Sequence, residues 1–148
     1  MFSRHERRQE LARTFGATDV ITTRGDEGVA ELTDLLGGLG AHSVIEAVGS
    51  QVSMEQAIAA CRPGGHVGFV GLNHGVALDG KQLFGSAVHL HGGPAPVRRM
   101  LPDLIERIQS GAIEPGLVFD HVVPLEQAAE GYRAMDERTA IKSLLTID

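Results

Sequence analysis

Two apolar runs of the sequence end at glycine, and glycine lets a ligand approach the backbone closely. Residues 43–48 are followed by Gly49 and residues 67–70 by Gly71, with apolar residues at helical spacing between the two runs. The strands of such a βαβ unit are buried on both faces, which explains why each run is almost continuously apolar. Open α/β sheets bind ligands at the carboxyl ends of their strands. The pattern therefore predicts a ligand site along Ala47, Val48 and Gly49 and along Val70, Gly71 and Leu72.

Three arginines, Arg4, Arg7 and Arg8, lie within the first eight residues, and Arg13 follows them. This local charge predicts an anion site, but a solvated helix start explains it equally well, and the sequence leaves both interpretations open. The whole chain has a formal net charge of −6 and only 4% aromatic residues. Because nucleic-acid surfaces are basic and often stack bases on aromatic rings, we expect no nucleic-acid partner.

Three other residue types could carry chemistry. His89 and His91 alternate along a predicted strand, so both side chains lie on one face and could chelate a metal ion. Neither cysteine nor carboxylate lies beside them in sequence, and we therefore expect no metal site. The single cysteine, Cys61, excludes an internal disulfide and is expected to be a small core residue. Glu46 lies in a buried strand, where a carboxylate needs a partner, so we expect it near the strand end, facing the crevice or a basic group.

The elements that position these residues follow from hydrophobic periodicity and from glycine and proline. The pattern predicts helices over residues 5–15, 25–36, 96–110 and 125–135, with Pro102 kinking the third or delaying its start. It predicts strands over 19–23, 88–91, 118–123 and 141–147, and an edge strand at 76–78. Strands that alternate with helices indicate an α/β fold with a doubly wound, mainly parallel sheet, and we predict a single domain over residues 1–148.

The overall composition places the chain in a broad class. Its 148 residues are 43% hydrophobic and 22% charged, which is typical of a soluble globular domain. No apolar run is long enough to span a bilayer, and the basic start lacks the apolar stretch of a secretory signal. We therefore expect no membrane partner and a cytoplasmic location.

The order of several motifs carries a family resemblance. The runs FGATDVI, EAVG, CRPGGHVGFVGL, GGPAP and VVPLEQAAEGYRAMDERTAIKSLLTI closely resemble the C-terminal part of zinc-type medium-chain alcohol dehydrogenases. The resemblance implies a Rossmann domain that binds a nicotinamide dinucleotide. In the family that domain opens with a strand and a G-x-G-x-x-G turn, whereas Met1 and Phe2 resemble the end of its second strand. We therefore expect an incomplete Rossmann fold without the first strand and this turn, and without the N-terminal catalytic zinc domain.

The expected gap has a structural consequence. In the Rossmann strand order 3-2-1-4-5-6 the first strand is central. Residues before Leu39 should therefore lose their hydrogen-bonded link to the rest of the sheet. Because an exposed strand edge promotes aggregation, we expect dimerisation or rearrangement to cover it.

The start of the chain bears on the choice of cofactor. Ser3 and Arg4 lie where the family's NAD enzymes resemble one another in carrying an acidic residue that binds the ribose hydroxyls. Here Ser3 replaces the acid, with Arg4 next and Arg8 one helical turn beyond. Arginine binds phosphate well, so the resemblance implies NADP, with NAD as the second choice.

The resemblance also implies further cofactor-binding residues. The two glycine stretches are similar to the family's contacts to adenosine and to the nicotinamide riboside, although a strand end that needs glycine for a tight exit explains them as well. Leu90, His91 and Gly92 resemble the segment whose backbone meets the carboxamide. Lys142 lies where the family has a basic residue near the pyrophosphate.

Two functions remain open at this point. The resemblance implies the cofactor-binding part of an oxidoreductase that, when complete, transfers hydride between NADP(H) and an alcohol or carbonyl carbon. We expect this chain alone to lack turnover, because it has no candidate Lewis acid and no zinc ligands. The alternative is a non-catalytic interaction module that dimerises through residues 76–78 and 88–91. The resemblance implies a homodimer in both cases, and affinity for the cofactor separates them.

Overall fold

The computed structural model describes residues 1–71 and 74–147. These residues form six α-helices: α1 (Glu6–Thr14), α2 (Gly25–Leu35), α3 (Gln51–Ala60), α4 (Gly80–Ser86), α5 (Val97–Gln109) and α6 (Ala128–Asp136). They also form five β-strands: β1 (Ala41–Glu46), β2 (Cys61–Phe69), β3 (His89–Gly92), β4 (His121–Pro124) and β5 (Ser143–Thr146). Short 3-10 helices span Pro115–Val118 and Leu125–Gln127. None of these described helices has both the length and the apolar composition that a membrane span requires.

The chain divides into two compact units. Unit 1 comprises Met1–Arg4 and Val20–Pro96, and unit 2 comprises His5–Asp19 and Val97–Asp148. The sequence predicts a single domain over residues 1–148, and the division into two compact units does not test that prediction.

Unit 1 is built on a three-stranded parallel sheet in the order β1-β2-β3. Helix α3 connects β1 to β2, as the βαβ pattern predicts, and it begins in a capping box. The Ser50 hydroxyl accepts from the Ser53 backbone N–H at 3.2 Å, and the Ser53 hydroxyl accepts from the Ser50 N–H at 3.1 Å. The inner face of α3 packs on the sheet in a core of buried residues: Met54, Ala57, Ile58, Cys61 and Val67. The prediction that Cys61 is a core residue is confirmed.

The predicted edge strand at 76–78 is wrong. Residues 76–79 form no strand and lead into α4. Val76 and Leu78 pack against the core of unit 1, which accounts for their alternation. The backbone groups of Ala77 are paired with a side chain instead of a strand, because the Gln51 amide accepts from Ala77 N at 2.9 Å and donates to Ala77 O at 2.8 Å.

The predicted strand at 19–23 is reduced to a single parallel bridge between Phe2 and Ile21. Ser3 N donates to Ile21 O at 3.0 Å, and Ile21 N donates to Met1 O at 2.8 Å. Within the described residues this bridge is separate from the β1-β2-β3 sheet. The expected break between the residues before Leu39 and that sheet is therefore present.

Unit 2 contains a parallel pair of strands, β4 and β5, with α6 connecting them. Helix α6 packs closely on the pair, since the Ser143 hydroxyl donates to Gly131 O at 2.9 Å. Both strands are shorter than the sequence predicts, and a 3-10 helix occupies the predicted start of the first. Helix α5 begins at Val97, so Pro102 lies inside it and does not delay its start. Parallel strands joined by helices in both units agree with the predicted α/β class.

Candidate functional site

The three strands of unit 1 end level with one another. Glu46 at the end of β1 is in register with Phe69 at the end of β2, and Phe69 is in register with Gly92 at the end of β3. The segments that follow β1 and β2 therefore begin at one edge of the sheet. This is the carboxyl edge, where open α/β sheets bind their ligands.

Glu46 fixes the loop that follows β1. The residue is 3% exposed, and its Oε1 accepts hydrogen bonds from Val48 N at 2.7 Å, Gly49 N at 2.8 Å and the Ser53 hydroxyl at 2.7 Å. The expectation that this carboxylate has partners near the strand end is confirmed. The partners are backbone amides and a hydroxyl, and they hold the first predicted binding stretch against the start of α3.

These partners also keep Glu46 charged. Burial raises the pKa of the carboxyl group, but the hydrogen bonds from Ser53, Gly49 and Val48 outweigh it, so that the net pKa lies below the ordinary value. The side chain is therefore ionised at neutral pH. A fixed negative charge lies directly beneath the strand ends.

The loops after β1 and β2 are in close contact through two glycines. A Cβ on Gly71 would lie 2.5 Å from Gly49 N, and Gly49 itself has a φ of 80°, which favours glycine. Val70 N and Gly71 N both donate to Glu46 O, at 2.8 and 3.4 Å. The structure thus brings most of the two predicted glycine stretches together, while Leu72 lies outside the described residues.

The same edge carries exposed apolar side chains. Val48 is 76% exposed and Val70 is 72% exposed, although they lie within two residues of the ends of β1 and β2. Ala47 is exposed as well. Such a surface beside open backbone can pack against the flat rings of a ligand.

The third predicted binding stretch runs from Leu90 to Gly92, and its three residues differ in burial and in their contacts. Leu90 is in register with Val67 and packs against the core of unit 1. His91 is exposed, and its ring nitrogen contacts His66 across the sheet. Gly92 lies under the Phe69 ring, with which a Cβ at this position would collide. Of the three, Gly92 is the one at the level strand ends.

The predicted basic site is divided between the two units. Ser3 is 6% exposed and Arg4 is exposed, and both belong to unit 1. Arg8 is exposed on α1 in unit 2. Lys142 also belongs to unit 2, where its backbone N donates to Asp120 Oδ1 at 3.2 Å.

Arg7 has a structural role within unit 2. Its guanidinium donates to Asp120 Oδ2 at 2.5 Å and to Thr139 O at 2.6 Å, and so joins α1 to the segments around β4 and β5. Burial raises the pKa of Asp120, but the N–H groups of Ile141 and Lys142 and the charge of Arg7 outweigh it and lower the net pKa. The predicted anion cluster therefore contains an arginine that is already paired.

Sequence reasoning missed two residues near these strands. Ser53 completes the Glu46 site, and the Ser50 and Ser53 spacing typical of a capping box was the available signal. His66 faces His89 in the register of β2 and β3. No local signal marks that pairing, because it depends on how two strands align.

Comparison with known proteins places this geometry in a family. The family model described as "Zinc-binding dehydrogenase" matches residues 1–110. A probable zinc-binding alcohol dehydrogenase from Mycobacterium tuberculosis is 34% identical over 134 residues, which cover 89% of this chain and 34% of that protein. A zinc-type alcohol dehydrogenase B from Aspergillus flavus is 31% identical, over 84% of this chain and 30% of that protein. The chain thus spans about a third of the length of these curated relatives.

The solved structures agree with the sequence relatives. Alcohol dehydrogenase TADH from Thermus sp. ATN1 has a TM-score of 0.90 and 27% identity, over 99% of this chain and 44% of that one. A structure described as an NAD-dependent alcohol dehydrogenase has a TM-score of 0.86 and 25% identity, over 99% of this chain and 43% of that one. The predicted fold class, a Rossmann-type α/β fold with mainly parallel strands, is confirmed. The chain belongs to the zinc-binding dehydrogenase family.

Proposed function

We propose that this chain binds a nicotinamide dinucleotide at the carboxyl edge of the β1-β2-β3 sheet. We further propose that it is the cofactor-binding part of an alcohol dehydrogenase-like oxidoreductase. The observation that carries the proposal is the level ending of the three strands, with Gly49 and Gly71 in close contact just beyond them. Named relatives that are alcohol dehydrogenases support it.

The residues at this edge suit a long, flat ligand. The loop Ala47 to Gly49 is rigid because Glu46 accepts its amide hydrogens, so it offers a preformed surface. Val48 and Val70 present apolar side chains for ring packing. Gly92 offers backbone at the third strand end for the carboxamide.

We propose NADP as the preferred cofactor and NAD as the second choice. Ser3 offers no negative charge to repel a 2′-phosphate, and the exposed Arg4 beside it offers a positive one. The NAD-dependent alcohol dehydrogenase among the structural neighbours is the reason for keeping NAD as the competitor.

The bound nicotinamide would supply hydride chemistry in the complete enzyme. A catalytic zinc ion takes three protein ligands, and the described part of this chain does not fit such an ion. In residues 1–71 and 74–147 no three histidine, cysteine, aspartate or glutamate side chains form a group that could hold a metal ion. No residue of the described part is therefore assigned a catalytic role.

We also propose a homodimer formed through β3, one of the two outer strands of the described sheet. An outer strand has unpaired backbone groups that a second copy can complete. Sedimentation velocity of the purified chain tests this, and a purely monomeric mass at high micromolar concentration would contradict it. A cytoplasmic location is proposed with it, and cell fractionation tests that location.

The experiment that tests the proposed function is titration of the purified chain with NADPH and, separately, NADH, followed by nicotinamide fluorescence. We expect saturable binding that is tighter for NADPH. Arg4→Ala should weaken NADPH binding by about tenfold, because an arginine contact to a phosphate contributes roughly 1.5 kcal/mol, and should leave NADH binding almost unchanged.

The matched control is Arg62→Ala. Arg62 lies near the opposite end of β2, and its guanidinium contacts His42 Nε2 at 2.6 Å. Its removal should leave the affinity for NADPH unchanged. If neither dinucleotide binds at millimolar concentration, the cofactor proposal fails and the non-catalytic interaction module becomes the better interpretation.

A further inference from the structure

Three imidazoles form a cluster on one face of the β2-β3 pair. His66 lies on β2, and His89 and His91 lie on β3. The ring centres are 4.8 Å apart for His66 and His89, 5.2 Å for His66 and His91, and 6.5 Å for His89 and His91. We call these three residues the imidazole cluster.

The sheet itself places the cluster on an exposed face. Val67 and Leu90 belong to the core of unit 1, and strand neighbours point to opposite faces, so the flanking histidines lie outside. His66 is in register with His89, and Gly68 is in register with His91. A Cβ on Gly68 would have only Val44 O within 4 Å, at 3.9 Å, so the space beside these rings is open.

Two rings of the cluster face each other through their nitrogens. His66 Nδ1 and His91 Nε2 are 3.0 Å apart, whereas the ring centres are 5.2 Å apart. The two nitrogens therefore lie between the ring centres, and the rings meet edge to edge. In this arrangement one nitrogen donates a proton and the other accepts it through its in-plane lone pair.

We propose that His66 and His91 bind a divalent transition-metal ion between these two nitrogens. With metal–nitrogen bonds of about 2.0–2.1 Å, two imidazole nitrogens stand about 3.3 Å apart in a tetrahedral site and about 2.9 Å apart in a square-planar one. The observed 3.0 Å lies between the two values. Because both side chains are exposed, a tilt of the rings is enough to direct both lone pairs at one ion.

The imidazole ligands favour Zn²⁺, Cu²⁺ or Ni²⁺ as the bound ion. The neighbouring strand places Ser43 in register with His66 and Ile45 in register with Gly68, so no charged side chain stands in either row of the cluster. Water completes the coordination, since the described residues hold no preformed group of three ligands. His89 lies beside the His66 ring and is assigned no bond to the ion.

This site depends on tertiary structure. The sequence shows His89 and His91 without ligand neighbours, which predicts no metal site. The alignment of β2 with β3 supplies the missing partner, His66, from 25 residues away along the chain. The proposal stands independently of the cofactor proposal.

The test is calorimetric titration of the full chain, made without a polyhistidine tag, with ZnCl₂ near neutral pH. We expect about one equivalent of Zn²⁺ to bind with micromolar affinity. His66→Gln and His91→Gln should each weaken binding by about tenfold or more, because the remaining imidazole then binds without its chelate partner. With Cu²⁺ as the probe, electron paramagnetic resonance should show two coupled nitrogens in the wild type and one in either variant.

His42→Gln is the matched control, since it removes an exposed imidazole of the same unit that contacts Arg62. It should leave the affinity unchanged, and His89→Gln should change it by less than about threefold. Far-UV circular dichroism establishes that each variant is folded. Absence of saturable binding, equal affinity after His66→Gln or His91→Gln, or an equal loss in His42→Gln or His89→Gln would overturn the assignment.

Discussion

Removing the Glu46 carboxylate tests how the first binding loop is held. Two substitutions separate the contributions of shape and charge. Glu46→Ala removes the acceptor of three hydrogen bonds, from Val48 N, Gly49 N and the Ser53 hydroxyl. Glu46→Gln keeps an acceptor oxygen in the same place but removes the negative charge.

The expected magnitudes follow from those contacts. A hydrogen bond to a charged group contributes about 1.5–3 kcal/mol, and the cost of burying the carboxylate offsets part of the total. We expect Glu46→Ala to lower the free energy of unfolding of unit 1 by about 3 kcal/mol. For Glu46→Gln we expect about 1–2 kcal/mol, since charge assistance is lost. Its new amide nitrogen would also occupy the position of Oε2, which has no hydrogen-bond partner within residues 1–71 and 74–147.

The effect of charge has a defined pH dependence. The net pKa of Glu46 lies below its ordinary value of 4.5, so the folded state binds this proton more weakly than the unfolded state. The stabilisation by the carboxylate is therefore complete above that value and is lost as the pH falls through the folded pKa. The difference between wild type and Glu46→Gln should be constant near neutral pH and should shrink below pH 4.5.

The assay is urea unfolding followed by far-UV circular dichroism at neutral and acid pH. The single tyrosine, Tyr132, lies on α6 in unit 2, and the chain has no tryptophan, so its fluorescence reports unit 2 separately. Glu55→Gln is the control, because Glu55 is an exposed glutamate on α3 whose contact is the Gln51 side chain. The reasoning is refuted if Glu46→Ala costs no more than Glu55→Gln, or if the Glu46→Gln deficit grows as the solution is acidified.

Two further predictions concern the second unit and the crevice. Asp120→Ala should destabilise unit 2 by about 1–2 kcal/mol at neutral pH, because two backbone amides and Arg7 lose their acceptor. Because the Asp120 pKa is lowered, this deficit should fade in acid, and a pH-independent deficit in urea unfolding would contradict the assignment. Gly71→Ala places a Cβ 2.5 Å from Gly49 N, so the loops must separate, and we expect stability to fall by about 2 kcal/mol with weaker NADPH binding. Gly80→Ala, where a Cβ meets nothing within 4 Å, is the control, and equal effects in calorimetry and titration would refute the packing argument.

Local features of the fold were predictable because their causes are local. Helix α3 and its flanking strands follow from apolar spacing over about 25 residues, and the glycines that end the strands mark the turn into each loop. The pattern also predicts helix α5, although Pro102 lies inside this helix and does not delay its start. The family resemblance correctly indicated the separation of the Phe2 and Ile21 bridge from the main sheet.

The errors have an identifiable cause. The alternating Val76 and Leu78 predict a strand, but alternation reports only that one side is buried. Whether the backbone then pairs with a strand depends on what lies opposite, and here it is the Gln51 amide, 26 residues earlier. A pattern within the segment carries no information about that partner.

The sequence by itself determined the central helix with its two flanking strands, the glycines at the strand ends and the family. Tertiary structure alone decided how residues far apart in the chain pair. The packing of unit 2 pairs the Arg7 guanidinium with Asp120, which lies 113 residues away in the chain. One arginine of the predicted anion cluster is therefore already bound to a carboxylate. Tertiary structure also brought His66 to His91 through strand register. The physical reason is that spacing sets which face of an element a side chain occupies, whereas only the packing of elements sets which group meets it there.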